Sequence, residues 1–224
     1  MMAASVAQAD CRQALALGLD VSGSVDRREY RVQLDGLAGA LQNENVRAAL
    51  LSMPNAPVTL AVYEWSGPAD QHLIVNWTTI RNQNELDSFT ARLLATRRKA
   101  TDPSTAIGSS LIYGAALLSK QPKCWTHTLD LSGDGSSNSG PRPRDVAGET
   151  LLNQITVNAL VISKDSGQTM QAKELAEYFE SEVIRGTGAF TELALGFDDF
   201  QNAMVRKLLR ELQGLTVSKL GQIQ

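Results

Sequence analysis

The stretch from Gln13 to Ser24, QALALGLDVSGS, decides the fold. Its first eight residues, Gln13 to Asp20, form a short and mostly apolar run, after which the chain turns polar at once. Such a run reads as a buried parallel strand that ends in a loop. Asp20, Ser22 and Ser24 occupy alternate positions at that junction, the pattern D-x-S-x-S. Alternate spacing lets a turning backbone aim three side chains at one point. The string alone arises by chance in roughly one chain in twenty of this length, because Ser and Asp are common in turns and helix caps. It needs support from elsewhere in the sequence.

Outward from this stretch, Asp26 to about Leu50 has helical periodicity, with Tyr30, Leu34, Leu37, Ala38 and Leu41 on one face. Pro57 to Trp65 and Leu73 to Trp77 are β-rich, and Ser66-Gly67-Pro68 between them predicts a hairpin. Glu85 to Leu94 reads as an amphipathic helix, and a second runs from Ser104 to about Leu118, opening on a capping Ser or Thr. Trp125 to Leu131 is the next strand, followed by the loop SGDGSSNSGPRPR. The remaining pattern predicts helix at Asp145–Ile155, strand at Thr156–Ile162, helix at Gln171–Val183, strand at Phe190–Leu195 and helix at Asp198–Leu212. Strands that alternate with helices imply one doubly wound α/β domain, its mostly parallel sheet covered by helices on both faces. No internal repeat or interdomain linker interrupts residues 10–224.

Composition agrees with one folded domain: 224 residues, 43% hydrophobic and 20% charged. A net charge of −3 lacks the basic excess of a nucleic-acid binder. No apolar run approaches the ~20 residues that span a bilayer. Met1 to Ala9, MMAASVAQA, ends in the small-x-small form of a signal-peptidase site. Two readings stand: the tail of a signal sequence, or a disordered Ala-rich start. Export would place the chain in the periplasm or outside the cell, with Asp10-Cys11 at the mature terminus.

Support for the first motif comes from two others. In open α/β sheets ligands bind beyond the carboxyl ends of the strands. Pro103-Ser104-Thr105-Ala106-Ile107-Gly108 opens one helix, and Ser132-Gly133-Asp134-Gly135 ends one strand. Asp20, Ser22, Ser24, Thr105 and Asp134 then offer two carboxylates and three hydroxyls. This hard, all-oxygen set suits Mg²⁺, Mn²⁺ or Ca²⁺ and suits Zn²⁺ poorly. Two carboxylates leave room in a shell of about six ligands for water or for a carboxylate brought by a partner. Asp130 lies on the same strand as Asp134 but precedes its end and has no Gly after it, so Asp134 is preferred.

These motifs resemble the metal-ion-dependent adhesion site of von Willebrand factor A domains, and the order of strands and helices is similar to that family along nearly the whole chain. DVSGSVD, YEWSG, STAIG and LSGDG further resemble a group of secreted bacterial proteins of unknown function with one such domain. The resemblance implies a six-stranded sheet with one antiparallel edge strand. It implies that Ser22, Ser24 and Thr105 bind the ion directly or through water, and that Asp20 and Asp134 do so partly through water. Many members carry T-x-T at the second motif; here Pro103 takes the first position and Thr105 the second. In the family's strand order the strands that follow Cys11 and Cys124 are parallel neighbours. A spacing of ~4.8 Å between them would suit a disulfide. Two buried free thiols are the other reading.

The function so implied is metal-dependent binding of a protein or peptide through an acidic group. A phosphotransferase of haloacid-dehalogenase type also ends its first strand in Asp, but it expects D-x-D where this chain has Ser22. A domain with a vestigial site is a third possibility. Arg97, Arg98, Lys99, Arg142 and Arg144 flank the second and third motifs, either as a basic rim that steers an acidic partner or as solvated surface. Trp65 ends a strand and is either an anchor for that partner or packing. His72 and His127 read as structural.

Overall fold

The computed structural model describes residues 11–99, 101–164 and 169–220. The signal-sequence reading of Met1–Ala9 lies outside them. The strands are β1 (Cys11–Asp20), β2 (Val58–Trp65), β3 (Gln71–Ile80), β4 (Cys124–Gly133), β5 (Thr156–Ile162) and β6 (Thr191–Ala194). The helices are α1 (Arg27–Gln42), α2 (Glu44–Leu51), α3 (Gln83–Leu94), α4 (Ile107–Leu118), α5 (Met170–Tyr178) and α6 (Phe200–Leu220). They form a sheet of order β3-β2-β1-β4-β5-β6 in which the edge strand β3 alone runs antiparallel. Among the described residues no helix is long and apolar enough to cross a membrane.

β1 is central and buried along its whole length. Its alternation sorts the two layers. Leu15, Leu17 and Leu19 join the core under α1, α3 and α6, whereas Ala14 and Ala16 face α4 and its neighbours. The small side chains on that second face let α4 approach closely. A Cβ at Gly114 would fall 2.5 Å from the Leu129 side chain.

Four expectations shift. The helix expected over Asp26–Leu50 is two helices, because the Asn43 side chain accepts the Asn45 amide at 3.0 Å and caps a new start. The second-motif helix begins at Ile107, with Ala106 at its N-cap and no side-chain cap. Asp145–Ile155 is a series of turns ending in a 3-10 turn at Leu152–Gln154. Its buried positions, Val146, Leu152 and Ile155, lack helical spacing, so a helix would bury no apolar stripe. The last turn of the helix expected over Gln171–Val183 widens to a π-helix at Phe179–Val183, which buries both end residues.

Asp130 faces α6. The fully buried Lys207 ammonium lies 2.7 Å from Asp130 Oδ1 and 2.6 Å from Glu211 Oε1. Asn158 donates to the same Glu211 oxygen at 2.7 Å and accepts from the Phe190 amide at 3.1 Å. One cation and one amide thereby pin α6 to the middle of the sheet.

Cys11 and Cys124 are register partners on β1 and β4, 4.6 Å apart at Cα, and form a disulfide that spans 113 residues of sequence. Peptide mapping without reduction should recover the bridged pair from protein matured in an oxidising compartment. Replacing both cysteines by Ala should lower the unfolding free energy by up to about 4–5 kcal/mol, since so long a loop constrains the unfolded chain strongly. Two thiols alkylated without prior reduction would contradict the bridge.

Candidate metal centre

The sheet order reverses direction between β1 and β4: β2 and β3 lie to one side, β5 and β6 to the other. The crevice at the carboxyl ends of two such strands is where open α/β sheets receive ligands. Asp20 is the last residue of β1, and Asp134 follows β4 directly. Both are buried.

Local bonding shapes the first loop. The Ser22 amide donates to Asp20 Oδ1 at 2.8 Å, turning the chain back on the carboxylate. Ser22 Oγ and Ser24 Oγ lie 3.2 Å apart, and Ser24 Oγ donates to Asp134 Oδ1 at 2.6 Å. A capping box at Asp26 and Glu29 then starts α1 immediately after the loop. Gly23 donates to the Pro103 carbonyl at 2.9 Å, and a Cβ there would lie 2.8 Å from the Pro103 side chain. Pro103, which departs from T-x-T, therefore serves as the wall against which the first loop rests.

Thr105 is held by its backbone. Its amide donates to Asn138 Oδ1 at 2.8 Å, and its carbonyl accepts from the Asn138 amide at 2.9 Å. The Thr105 side chain is largely buried, and its hydroxyl makes no hydrogen bond among the described residues. Because α4 starts two residues later, that hydroxyl is not consumed as a cap. Of the five candidates, Asp20, Ser22, Ser24 and Asp134 are directly linked, and Thr105 joins them through the loop that follows Asp134.

Two oxygens stand out. Asp20 Oδ2 and Asp134 Oδ2 are buried with no hydrogen-bond partner. Burial, and next the charge of Asp134, push the Asp20 carboxyl up to about 7. Unpartnered buried carboxylate oxygens are costly unless a cation or donor meets them. Among the described residues no three acidic, histidine or cysteine side chains converge, so the donors here are two carboxylates and hydroxyls. That set fits a hard divalent ion.

Trp65 requires a correction. It is fully buried, so it cannot anchor a partner from the rim. Trp65 is the register partner of Asp20 on the neighbouring strand, and a Cβ at Gly133 would lie 3.5 Å from Asp20 Oδ2 and 3.6 Å from Trp65 Cζ2, so the indole packs at the same buried end of the sheet. Arg98 also turns inward: its guanidinium donates to the Val21 carbonyl at 3.1 Å and lies 5.6 Å from the centre of the Tyr30 ring. Arg142 and Arg144 are exposed but paired with Asp145 and Glu182, each at 2.8 Å. Arg97 and Lys99 remain exposed. His127 Nε2 meets the Gln121 carbonyl at 2.8 Å, and His72 lies 3.7 Å from Asp70.

Sequence reasoning missed Gln33 and Asn138. Gln33 is buried on α1 and donates to the Asp20 carbonyl at 2.9 Å, while its own oxygen lies 3.3 Å from Ser132 Oγ. It braces the ends of β1 and β4 together. An apolar helix stripe interrupted by one amide was the only signal. Asn138 lay in a loop of small polar residues with nothing to single it out.

Similarity to known proteins agrees with this architecture. Residues 10–216 match a family described as protein of unknown function (DUF1194). No curated protein matches. Among solved structures, proximal thread matrix protein 1 from the mussel byssus, with a zinc-occupied MIDAS motif, superposes with a TM-score of 0.63 at 15% identity over 90% of this chain and 48% of its own. The pilus adhesin SpaC of Lactobacillus rhamnosus GG in its open conformation gives 0.63 at 14% identity, over 92% of this chain and 30% of that one. A von Willebrand factor type A protein from Catenulispora acidiphila gives 0.58 at 12% identity, over 90% and 43%. The chain thus spans less than half the length of these proteins. Its fold is that of a von Willebrand factor A domain, and by its match over residues 10–216 the chain belongs to the DUF1194 family.

Proposed function

We propose that this domain is a binding module rather than an enzyme: it holds a divalent cation through Asp20, Ser22, Ser24, Thr105 and Asp134 and captures an acidic group of a protein or peptide. The carrying observation is the pair of buried, unpartnered oxygens, Asp20 Oδ2 and Asp134 Oδ2, at the switch point of the sheet. A bound cation would neutralise both and polarise whatever oxygen completes its shell. Mg²⁺ is the first choice on donor chemistry, with Mn²⁺ or Ca²⁺ able to use the same oxygens. Zinc in the mussel protein's motif supports a divalent ion at this place in the fold. The Cys11–Cys124 bridge supports a location in the periplasm or outside the cell. Ser22 occupies the position where the phosphotransferase reading needs a carboxylate, and it is fully buried.

Thermal melting tests the proposal. Mg²⁺ added to chelator-treated protein at about one hundred times its Kd should raise Tm by roughly 5–10 °C. Ser24→Ala and Thr105→Val should each reduce that rise, measured against the variant's own metal-free melt; Ser24→Ala should also lower the metal-free melt, because Asp134 Oδ1 loses its donor. Equal Mg²⁺ shifts in parent and both variants would show that the ion binds elsewhere. Zn²⁺ and Ca²⁺ titrations in the same format rank the metals.

A further inference from the structure

The chain carries a net charge of −3, yet five basic residues line one groove of about 800 Å³. Arg27 and Arg31 come from the start of α1; Arg97, Arg98 and Lys99 come from the segment after α3. Asp26 is the only acid among the lining residues, and its carboxylate is engaged by the Glu29 amide at 2.8 Å. Arg31 is tied to Asp35 at 2.9 Å, and Arg98 is turned to the Val21 carbonyl. Arg27, Arg97 and Lys99 make no hydrogen bond or ion pair among the described residues. Arg27 and Arg97 are uncommitted, and Lys99 feels the buried Glu64 carboxylate, to which the Tyr30 hydroxyl donates at 2.6 Å; the balance of charge around the concavity still favours an incoming anion.

The groove shares a wall with the candidate metal loop. Thr101 Oγ1 donates to the Val21 carbonyl at 3.2 Å, beside the 3.1 Å bond from Arg98. Val21 lies between Asp20 and Ser22, and Asp26 lies two residues past Ser24. The outer side of the loop that presents Asp20 and the serines is therefore the inner side of the groove. Arg98 is a positioning residue here, because its guanidinium is bound to the loop backbone.

We propose that the groove is a second carboxylate subsite, so that the ligand is a peptide with at least two clustered acidic residues, one at the metal and one among Arg27, Arg97 and Lys99. The pairing with the metal rests on the function proposed above, whereas the groove's affinity for carboxylate does not. A single acid on a bare ion offers little selectivity; a second charge at a fixed place would discriminate among acidic segments.

Amide-resolved NMR with the probe acetyl-triglutamate-amide tests both parts. In chelator, the probe should shift the amides of Asp26–Arg31, Arg97–Lys99 and Thr101 saturably, and should weaken as salt shortens the Debye length below ~10 Å. Arg27→Gln combined with Lys99→Gln, both at exposed positions, should weaken it by about tenfold or more. The Mg²⁺ melt of that variant should match the parent's. In Mg²⁺, triglutamate should bind at least about tenfold more tightly than acetyl-glutamate-amide. Shifts scattered over the surface, shifts unchanged in the double variant, or equal affinity for the two probes in Mg²⁺ would each overturn the proposal. The metal reading is scored separately, from the response of the Ser22–Val25 amides to Mg²⁺ without peptide.

Discussion

Asp20→Asn should make the metal-free protein more stable at pH 8, and at the same time abolish its response to Mg²⁺. Asp20 is fully buried, and its carboxyl is pushed up to about 7, first by burial and then by Asp134. In the unfolded chain the same group titrates near 4. Folding thus favours the protonated form, so the contribution of Asp20 is complete below about pH 4 and is lost as pH rises through about 7. Asn carries no charge at any pH and keeps an oxygen for the Ser22 amide. With each pKa unit worth ~1.4 kcal/mol, the gain at pH 8 should be on the order of 2–4 kcal/mol, shrinking to about zero near pH 4. Mg²⁺ reverses the comparison, because the parent alone can offer the second anion. Urea unfolding from pH 4 to 8, with chelator and with Mg²⁺, measures both effects. A variant less stable than the parent at pH 8 in chelator would mean that Asp20 serves the fold rather than a ligand.

Lys207→Met should have the opposite character, a loss with no tie to metal. Among the described residues its ammonium is the one cation paired with Asp130 and Glu211, all three nearly or fully inaccessible to water. Removing one partner of a buried ionic group typically costs 3–5 kcal/mol, because the remaining charge is left uncompensated. Burial already pushes the Asp130 carboxyl up to about 7. Lys207 itself holds that carboxyl down, so without the cation it rises further, and the loss relative to the parent should deepen as pH rises through about 7, where the parent's carboxyl ionises. The triple variant with Asp130→Asn and Glu211→Gln should recover most of the stability. Chemical denaturation decides; a pH-independent loss would point to packing of the lysine stem instead of its charge.

The contrast between these sites marks what can be read from the chain. Asp20, Ser22 and Ser24 are legible because a buried strand and a polar turn are local patterns, and their order fixes which side chains leave the strand end. The alternation of strands and helices is legible for the same reason, element by element, whereas the six-stranded sheet and its strand order come from the resemblance to von Willebrand factor A domains. Lys207 is not legible: in α6 it looks like any surface lysine, and only docking on β4 removes it from water. Trp65 fails similarly, since a strand-end indole is exposed or buried according to the loops that fold over it. Arg98 reads as part of a charged run, yet its partner is a backbone carbonyl seventy-seven residues away. The turns at Asp145–Ile155 mimic a helix by composition while lacking its spacing. In each case the missing information is tertiary.

The disulfide has a bearing on the far end of the molecule. It joins the starts of β1 and β4, and Asp20 and Asp134 leave from the other ends of the same two strands. A slip of one residue between those strands would displace one carboxylate from the other by ~3.3 Å along the strand axis. Ions such as Mg²⁺ tolerate little change from ~2.0–2.1 Å ligand distances. The covalent link therefore acts as a gauge block: it fixes the offset of two rails where they begin, and the jaws at their tips inherit that setting.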